Sequence, residues 1–271
     1  MKIGVVVRLD DANVDARFAE VRNFGFDVCQ LIAWKHELFT DEIADEILAA
    51  CKKYDITIST FWCGWSGPAV WNFYEGPLTL GLVPREYRFE RMKDLMRGSD
   101  FARKLGVSMI ATHAGFLPEN PNTQEYFEVV SALRTVAKHC KANGQKFLFE
   151  TGQETPVTLR RVIEDIGTDN LGINLDPANL ILYGKANPVD ALDVFGEYVL
   201  DVHAKDGMYP TDGKNLGREM PLGEGRVNFP ALISKLRAIG YDGTLIIERE
   251  ISGEKQRADI ILGKKLLEGL I

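Results

Sequence analysis

Four side chains of the types that bind metal ions stand where short apolar runs of the sequence end. Glu150 follows Lys146–Phe149, Asp176 follows Gly172–Leu175, His203 follows Val199–Val202, and Glu248 follows Thr244–Ile247. Burying an ionisable group at the end of an apolar strand is unfavourable unless the group is paired. Three carboxylates and an imidazole that met at one place would need a cation, so the pattern predicts a site for one divalent metal ion.

The predicted ligands are oxygen atoms with a single nitrogen, a set that suits Mn²⁺, Mg²⁺ or Co²⁺, and also Zn²⁺. We expect Mn²⁺ first. Each residue alone has a simpler interpretation, because a strand-end carboxylate can cap a helix and a lone buried histidine is usually a hydrogen-bonded core residue. Four such residues at consecutive strand ends favour a shared site.

The apolar runs belong to a series that extends along the whole chain of 271 residues and alternates with longer amphipathic segments. Runs rich in β-branched and apolar residues are typical of parallel strands that are buried on both faces. The eight runs are Ile3–Val7, Val28–Ala33, Ile56–Phe61, Ser108–Thr112, Lys146–Phe149, Gly172–Leu175, Val199–Val202 and Thr244–Ile247. They predict an α/β fold, a single (β/α)₈ TIM barrel with parallel strands that forms one domain from residue 1 to residue 271.

The alternative fold is an open, doubly wound sheet. That fold would carry a GxGxxG fingerprint after its first strand, where this chain has Arg8-Leu9-Asp10. The carboxyl ends of the barrel strands share one face, so the four metal-type residues would converge at the barrel mouth.

Two helical patterns define the segments between strands most clearly, Arg88–Leu105 and Glu125–Ala142. We place Phe89 on the buried face of the first and Phe127 on that of the second. Thr40-Asp41 and Pro156 are typical of helix starts, and Gly106 and Gly144, like Gly25 and Gly240, are typical of helix ends.

Two connections at the predicted mouth are long, residues 62–87 and 205–228. Loops longer than about 12–15 residues are usually functional. The first loop carries Trp62, Trp65 and Trp71. We interpret them as an apolar wall against a substrate, with a hydrophobic lid or an oligomer contact as the alternative.

Other residues near strand ends are candidates for substrate binding. His113 follows the fourth run and Trp34 follows the second, while Lys205 and Arg218 lie on the seventh connection. The simpler interpretations are a structural histidine for His113, a pair with Asp206 for Lys205, and a surface position for Arg218.

The composition indicates which classes of partner this protein is expected to bind. The net charge of −7 argues against a nucleic-acid-binding protein, which normally needs a basic surface. The four cysteines include no CxxC pair, and no stretch of about 18 apolar residues predicts a membrane span. Without a signal-peptide pattern at the start, we expect a cytoplasmic protein that binds a small molecule, and the sequence leaves it free to form a homo-oligomer.

Five short motifs surround the predicted ligands: Phe149-Glu150-Thr151, Leu175-Asp176-Pro177, Val202-His203-Ala204-Lys205-Asp206-Gly207, Pro221-Leu222-Gly223-Glu224-Gly225, and the stretch from Tyr241 to Glu248. Together they resemble the xylose isomerase-like superfamily of sugar isomerases and epimerases, most closely its ketose 3-epimerase and inosose-processing branch. The resemblance covers most of the chain and is densest between Glu150 and Glu248. It implies that Glu150 and Glu248 both bind the metal and transfer protons as the catalytic residues, with Asp176 and His203 completing the metal site.

The chain departs from the epimerases of this family at one position. They usually carry a histidine three residues after the aspartate of strand six, where this chain has Asn179. An asparagine can hydrogen-bond a sugar hydroxyl but cannot act as a charged donor.

The resemblance implies an isomerase or epimerase of a small sugar. Such an enzyme removes a proton next to a carbonyl and stabilises the resulting enediolate with the metal. The same ligands also suit an inosose dehydratase-like lyase, and a non-catalytic sugar-binding barrel is a further alternative. An endonuclease for abasic DNA on this barrel would need three zinc ions and many histidines, whereas this chain has four histidines in total.

Overall fold

The fold follows from a computed structural model, which describes residues 1–11 and 13–271. Its ten strands are β1 (Lys2–Arg8), β2 (Val28–Ala33), β3 (Thr57–Cys63), β4 (Met109–Thr112), β5 (Lys146–Glu150), β6 (Leu171–Leu175), β7 (Val199–Ala204), β8 (Asp206–Gly207), β9 (Glu219–Met220) and β10 (Thr244–Ile247). Eight of them close into a barrel in the order β1-β10-β7-β6-β5-β4-β3-β2, while β8 and β9 form a small separate sheet. All barrel pairs are parallel. The predicted (β/α)₈ TIM barrel is therefore confirmed.

Helices connect the strands and cover the outside of the barrel. They are α1 (Val14–Asn23), α2 (Asp41–Tyr54), α3 (Gly76–Thr79), α4 (Arg85–Lys104), α5 (Gln124–Ala142), α6 (Pro156–Ile166), α7 (Pro177–Leu182), α8 (Pro188–Phe195), α9 (Phe229–Ala238) and α10 (Glu254–Glu268). Short 3₁₀ turns cover His36–Leu38 and Gly196–Tyr198. Within the described part of the chain, no helix combines the length and the apolar character that crossing a membrane requires.

The predicted helix signals are confirmed. Thr40 caps α2, and its hydroxyl accepts a hydrogen bond from the backbone N–H of Ile43. Pro156 is the first residue of α6. Gly106 and Gly144 follow α4 and α5 with φ of 70° and 73°, in the left-handed region that favours glycine.

The predicted buried faces of α4 and α5 were wrong at one residue each. Phe89 is 66% exposed and Phe127 is 60% exposed. On α4 the inward positions belong instead to Arg88 and Arg91, whose guanidinium groups donate to backbone carbonyls of the loop between β3 and α4. A pattern of apolar residues alone does not reveal that charged side chains can fill a buried face when all their donors are satisfied.

The barrel interior contains an apolar cluster and a polar cluster. A small apolar cluster of Ile32, Trp62, Ala111 and Leu148 fills the interior beside β2 to β5. Gln30, Asn174, Asp201 and His203 are equally buried but polar, and hydrogen bonds join them. The large apolar core lies outside this layer, between the strands and the helices.

Candidate active site at the barrel mouth

The four predicted metal-binding residues come together at the carboxyl ends of neighbouring strands. Glu150 is the last residue of β5, His203 lies near the end of β7, and Asp176 and Glu248 directly follow β6 and β10. One ligand atom from each of the four lies within 4.8 Å of all the others. All four side chains are at most 5% exposed.

Two atoms in this cluster are buried without a hydrogen bond. His203 Nδ1 and Asp176 Oδ2 have no hydrogen-bond partner among the described residues. They lie 3.6 Å apart, and Nδ1 is also 3.2 Å from Glu150 Oε1 and 3.2 Å from Glu248 Oε2. Buried polar atoms are normally satisfied, so unsatisfied acceptors that face one another fit a cation between them.

The other carboxylate oxygen of Asp176, Oδ1, stabilises the start of helix α7. Asp176 Oδ1 caps α7 by accepting the backbone N–H of Asn179 at 2.8 Å. The side-chain amide of Asn179 donates to Glu150 Oε1 at 3.2 Å. Helix α7 therefore fixes the direction of one carboxylate and places a hydrogen-bond donor against another.

Glu150 has an indole and an imidazole on its outer side. The indole N–H of Trp62 donates to Glu150 Oε2, and His113 Nε2 lies 3.4 Å from the same oxygen. Burial would raise the pKa of Glu150, but the neighbouring imidazoles of His113 and His203 outweigh it and lower that pKa.

Glu248 has cations on its outer side. Lys205 Nζ lies 3.3 Å from Glu248 Oε2, and Arg8 Nη2 lies 3.6 Å from Oε1. Burial acts against the charge of Glu248, yet Lys205 and His203 hold its pKa well below the usual range. Burial likewise opposes the charge of Lys205, but Glu248 and Glu250 raise the pKa of this lysine well above its usual range.

His203 is surrounded by the carboxylates. Its burial disfavours the imidazolium, but Glu150 and Glu248 outweigh that effect and raise the pKa of His203 well above 6.5. A protonated imidazole is the expected substitute for a cation among these acids, and a divalent ion would displace that proton.

Lys205 does not pair with Asp206, which was one of its two predicted roles. The carboxylate of Asp206 accepts backbone N–H groups at Gly223, Gly225 and Val227, at distances from 2.9 to 3.0 Å. The two neighbouring residues therefore have different roles. Lys205 lines the cavity, whereas Asp206 stabilises the loop that follows β7.

A cavity of about 260 Å³ opens above the acidic cluster. Trp34, Trp62 and Trp71 form one wall, and His113 and Asn179 also line it. The tryptophan rings pack on one another, with Trp34 5.1 Å from Trp62 and 6.4 Å from Trp71 between ring centroids. Trp65, predicted for the same wall, is 2% exposed and packs behind Trp34.

Arg218 does not reach this cavity. It is exposed, and it is absent from the described residues that line the space. The backbone around it is held tightly, because Gly217 N donates to Leu182 O and Met208 N donates to Arg218 O. The guanidinium group at the mouth belongs instead to Arg8, at the end of β1.

Sequence reasoning missed several residues of the site. Arg8 and Glu250 line the cavity, and Gln30 contacts His203 from below. The available signal for Gln30 was an amide in the middle of the apolar run Val28–Ala33. Arg8 was noted only as a departure from a phosphate-binding fingerprint.

A larger groove of about 600 Å³ lies beside β1, between α1 and α10. Arg8, Glu248 and Glu250 line both this groove and the mouth cavity. Among the described residues, Glu150 lines the mouth cavity but not this groove. The smaller cavity is therefore the candidate active site.

Comparison with known proteins agrees with this architecture. The crystal structure of a xylose isomerase domain protein from Planctomyces limnophilus is 35% identical, with a TM-score of 0.94 over 99% of this chain and 96% of that one. An uncharacterised protein of Methanocaldococcus jannaschii is 27% identical over 71% of this chain, which spans 65% of that relative's length.

More distant solved structures share the fold. A D-tagatose 3-epimerase-like protein is 21% identical, with a TM-score of 0.76 over 100% of this chain and 97% of that one. The probable 3-DHS dehydratase of Bacillus anthracis is 20% identical, with a TM-score of 0.71 over 99% of both chains. Proteins with this barrel thus include sugar epimerases and a dehydratase.

The sequence profile of one family matches residues 18–266, nearly the whole barrel. The closed parallel barrel and the resemblance of the strand-end motifs agree with that match. The chain belongs to the xylose isomerase-like TIM barrel family.

Proposed function

We propose that this protein is a divalent-metal-dependent isomerase or epimerase of a small sugar or sugar derivative. The observation that carries the proposal is the convergence of Glu150, Asp176, His203 and Glu248 below a tryptophan-walled cavity, with two of their atoms lacking hydrogen bonds among the described residues. The solved epimerases with this fold support the reaction class.

The charges around the cavity fit one divalent cation. Four carboxylates, those of Glu150, Asp176, Glu248 and Glu250, face only two cationic side chains, Lys205 and Arg8. With His203 neutral, the described groups leave two negative charges, which a divalent ion would balance. Mn²⁺ is our first choice, and a solved relative of this fold contains magnesium.

The cation would be held by Glu150, Asp176, His203 and Glu248. When bound, such an ion supplies Lewis acidity, which stabilises the negative charge that develops on a carbonyl oxygen of the substrate. The four side chains are pre-positioned by their strands, so little reorganisation is required of the protein.

Proton transfer would fall to Glu150 and Glu248. They stand at the two ends of the row formed by β5, β6, β7 and β10, so a substrate above the row meets one carboxylate from each side. One carboxylate would take the proton next to the carbonyl, and the other would return a proton to the opposite face, which inverts the carbon. Return of the proton to the neighbouring carbon, with the carbonyl group moving to the carbon that lost it, would give isomerisation.

The remaining cavity residues would bind the substrate. Trp34 and Trp62 offer apolar surface to the carbon face of a sugar, while Asn179, His113 and Lys205 offer hydrogen bonds to its hydroxyl groups. The aromatic wall would also exclude water from the reacting carbon.

A metal-dependent dehydratase is the second candidate. Asn179 hydrogen-bonds Glu150 where epimerases of the family usually have a histidine, and a dehydratase shares the fold. In this reaction the same proton removal would be followed by loss of a hydroxyl group on the next carbon.

One experiment tests both candidates. Protein loaded with Mn²⁺ is incubated in D₂O with a panel of ketoses, inososes and ketose phosphates, and the products are analysed by NMR and mass spectrometry. We expect deuterium to enter one carbon-bound position of at least one member of the panel. Loss of water from the product would identify the dehydratase, and no exchange with any member of the panel would reject both.

A further inference from the structure

A buried amide lies directly beneath the candidate metal site. Gln30 is the polar residue in the middle of β2, and it is fully buried. Its Oε1 lies 2.7 Å from Nε2 of His203, the ring nitrogen that faces away from the acidic cluster. Gln30 Nε2 lies 3.2 Å from Asp201 Oδ2 and 3.3 Å from Asn174 Oδ1.

Asp201 determines which end of the amide faces the histidine. Its buried carboxylate accepts hydrogen bonds from the hydroxyl groups of Thr60, Ser59 and Thr244 as well as from Gln30. A carboxylate can only accept, so Gln30 must turn its NH₂ group towards Asp201. The carbonyl oxygen of Gln30 must then point at His203.

This orientation fixes the proton on the imidazole. A carbonyl oxygen 2.7 Å from Nε2 requires a hydrogen on that nitrogen. In a neutral imidazole the lone pair then belongs to Nδ1. Nδ1 is the buried atom that lies among Glu150, Asp176 and Glu248 without a hydrogen-bond partner in the described part of the protein.

Asn174 competes for the same nitrogen. Its Nδ2 lies 3.0 Å from His203 Nε2 and would favour the opposite tautomer. That tautomer would place two acceptors, Gln30 Oε1 and an unprotonated Nε2, 2.7 Å apart, and would put a hydrogen on Nδ1 where a ligand atom is needed. The shorter contact and the anchored amide favour Gln30.

We infer that Gln30, oriented by Asp201, is a positioning residue that keeps the lone pair of His203 Nδ1 directed at the cation. The inference rests on the proposed function, because it assigns His203 as a ligand. Hydrogen bonds from the second nitrogen of a ligating histidine commonly set its tautomer, and their loss typically lowers metal affinity by 10–100-fold.

The test combines a spectroscopic signature with metal affinity. Protein with ¹⁵N-labelled histidine is loaded with Zn²⁺, and long-range ¹H–¹⁵N spectra identify the protonated nitrogen of His203, assigned with His203→Ala. Mn²⁺ affinity is measured by calorimetry. We expect Nε2–H in the wild type, its loss or mixing with the other tautomer in Gln30→Met, and about 10–100-fold weaker Mn²⁺ binding in that variant.

Gln145→Met is the matched control. Gln145 is another buried glutamine, and its side chain bonds to Ser99 and Val107, away from the cluster. It should lower thermal stability without changing the tautomer or the affinity for Mn²⁺. Asp201→Asn, which no longer dictates the orientation of Gln30, should show a mixture of both tautomers even if Gln30→Met does not fold.

The outcomes separate the two proposals. A wild-type protein that takes up no divalent ion would reject the proposed function. Because the metal-free imidazole is then protonated on both nitrogens, a hydrogen-bonded Nε2–H resonance that moves in Gln30→Met would decide the contact with Gln30. Wild-type protein that binds Mn²⁺ with the proton on Nδ1 would overturn the inference alone. Unchanged tautomer and affinity in Gln30→Met would do the same.

Discussion

The barrel mouth has two halves with opposite chemistry. The half formed by β5, β6, β7 and β10 carries Glu150, Asp176, His203 and Glu248, which we call the acidic arc. The half formed by β2, β3 and β4 carries Trp34, Trp62 and His113, which we call the aromatic arc. Strands of the same parallel barrel therefore end in ionisable ligands on one side and in large rings on the other.

The two arcs meet at Glu150. It belongs to the acidic arc, but its outer oxygen accepts the indole N–H of Trp62. Glu248, at the far end of the acidic arc, has Lys205 and Arg8 for neighbours instead. The two proposed proton-transfer groups are therefore held by different means: aromatic rings contact Glu150, whereas lysine and arginine side chains contact Glu248.

The largest expected effect comes from removing either carboxylate. Glu150→Gln and Glu248→Gln keep the size of the side chain, so the barrel should remain folded. Because general acid–base catalysis contributes about 10²–10⁴-fold, turnover of the substrate identified by deuterium exchange should fall by that factor in each variant. Near-normal turnover in both, with unchanged circular dichroism, would contradict the proposed role of the acidic arc.

Asp176→Asn tests the acidic arc as a metal site. The amide oxygen can still cap α7, so the local fold should persist while the charge is lost. Loss of a residue that only hydrogen-bonds a metal ligand typically lowers metal affinity by 10–100-fold. Because Asp176 is a proposed ligand itself, we expect Mn²⁺ binding to weaken by at least about 100-fold. Metal analysis of the purified variant provides the measurement, and a full metal content at low Mn²⁺ would count against Asp176 as a ligand.

Trp62→Phe tests the link between the arcs. Phenylalanine keeps an aromatic ring but removes the N–H that bonds Glu150. A hydrogen bond to a charged group is worth about 1.5–3 kcal/mol, so kcat should fall by about tenfold or more with a smaller change in KM. Trp65→Phe is the control, since its N–H donates to the backbone of His113 at 3.4 Å. Equal effects of the two variants on kcat would mean that Trp62 contributes through packing and not through its hydrogen bond to Glu150.

Arg8→Ala and Arg218→Ala test which of the two arginines contributes to substrate binding. Arg8 lines the cavity near Glu248, whereas Arg218 is exposed away from it. Because Arg8 is about one third exposed, we expect only a few-fold rise in KM for Arg8→Ala and no change for Arg218→Ala. A larger effect of Arg218→Ala would restore the substrate-binding role that the sequence suggested for it.

A buried glutamate just beyond the acidic arc should affect the stability of the protein and not its turnover. Burial raises the pKa of Glu154 to about 8, and neither a lysine nor an arginine is among its hydrogen-bond partners in the described residues. A raised folded-state pKa stabilises the protein fully below the unfolded pKa, near 4.5, and this stabilisation is lost as the pH rises through 8. In Glu154→Gln the stability of the protein should decrease less between pH 5 and pH 9 than in the wild type, which thermal unfolding over this pH range measures. An unchanged pH profile would mean that Glu154 is solvated.

Much of the fold and the centre of the site could be predicted from the sequence. Parallel strands buried on both faces give continuous apolar runs, so β2 and β10 have the predicted bounds. The four strand-end ligands could be found because barrel topology brings all carboxyl ends of strands to one face.

The rest depends on contacts between distant segments. Arg8 and Gln30 stand more than 170 residues before the groups they contact, Glu248 and His203, and no local pattern connects them. The exposure of Phe89 follows from the satisfied burial of Arg91, which depends on where loop carbonyls lie. Arg218 was a candidate only because of its position on a long loop, and its side chain is exposed and absent from the described residues that line the cavity.

The carboxylate of Asp206 determines where the specificity of this barrel could be redesigned. It anchors residues 223–227, and a Cβ at Gly225 would lie 2.0 Å from Asp206 Oδ1, so that stretch tolerates little change. Lys214 and Asn215 pair with Phe73 and Asn72 of the loop between β3 and α4, whereas a Cβ at Gly213 would meet open space among the described residues. Because Leu216 lines the cavity, a combinatorial library confined to residues 209–213 and Leu216 would diversify the molecules that the cavity admits while the four strand-end side chains stay fixed.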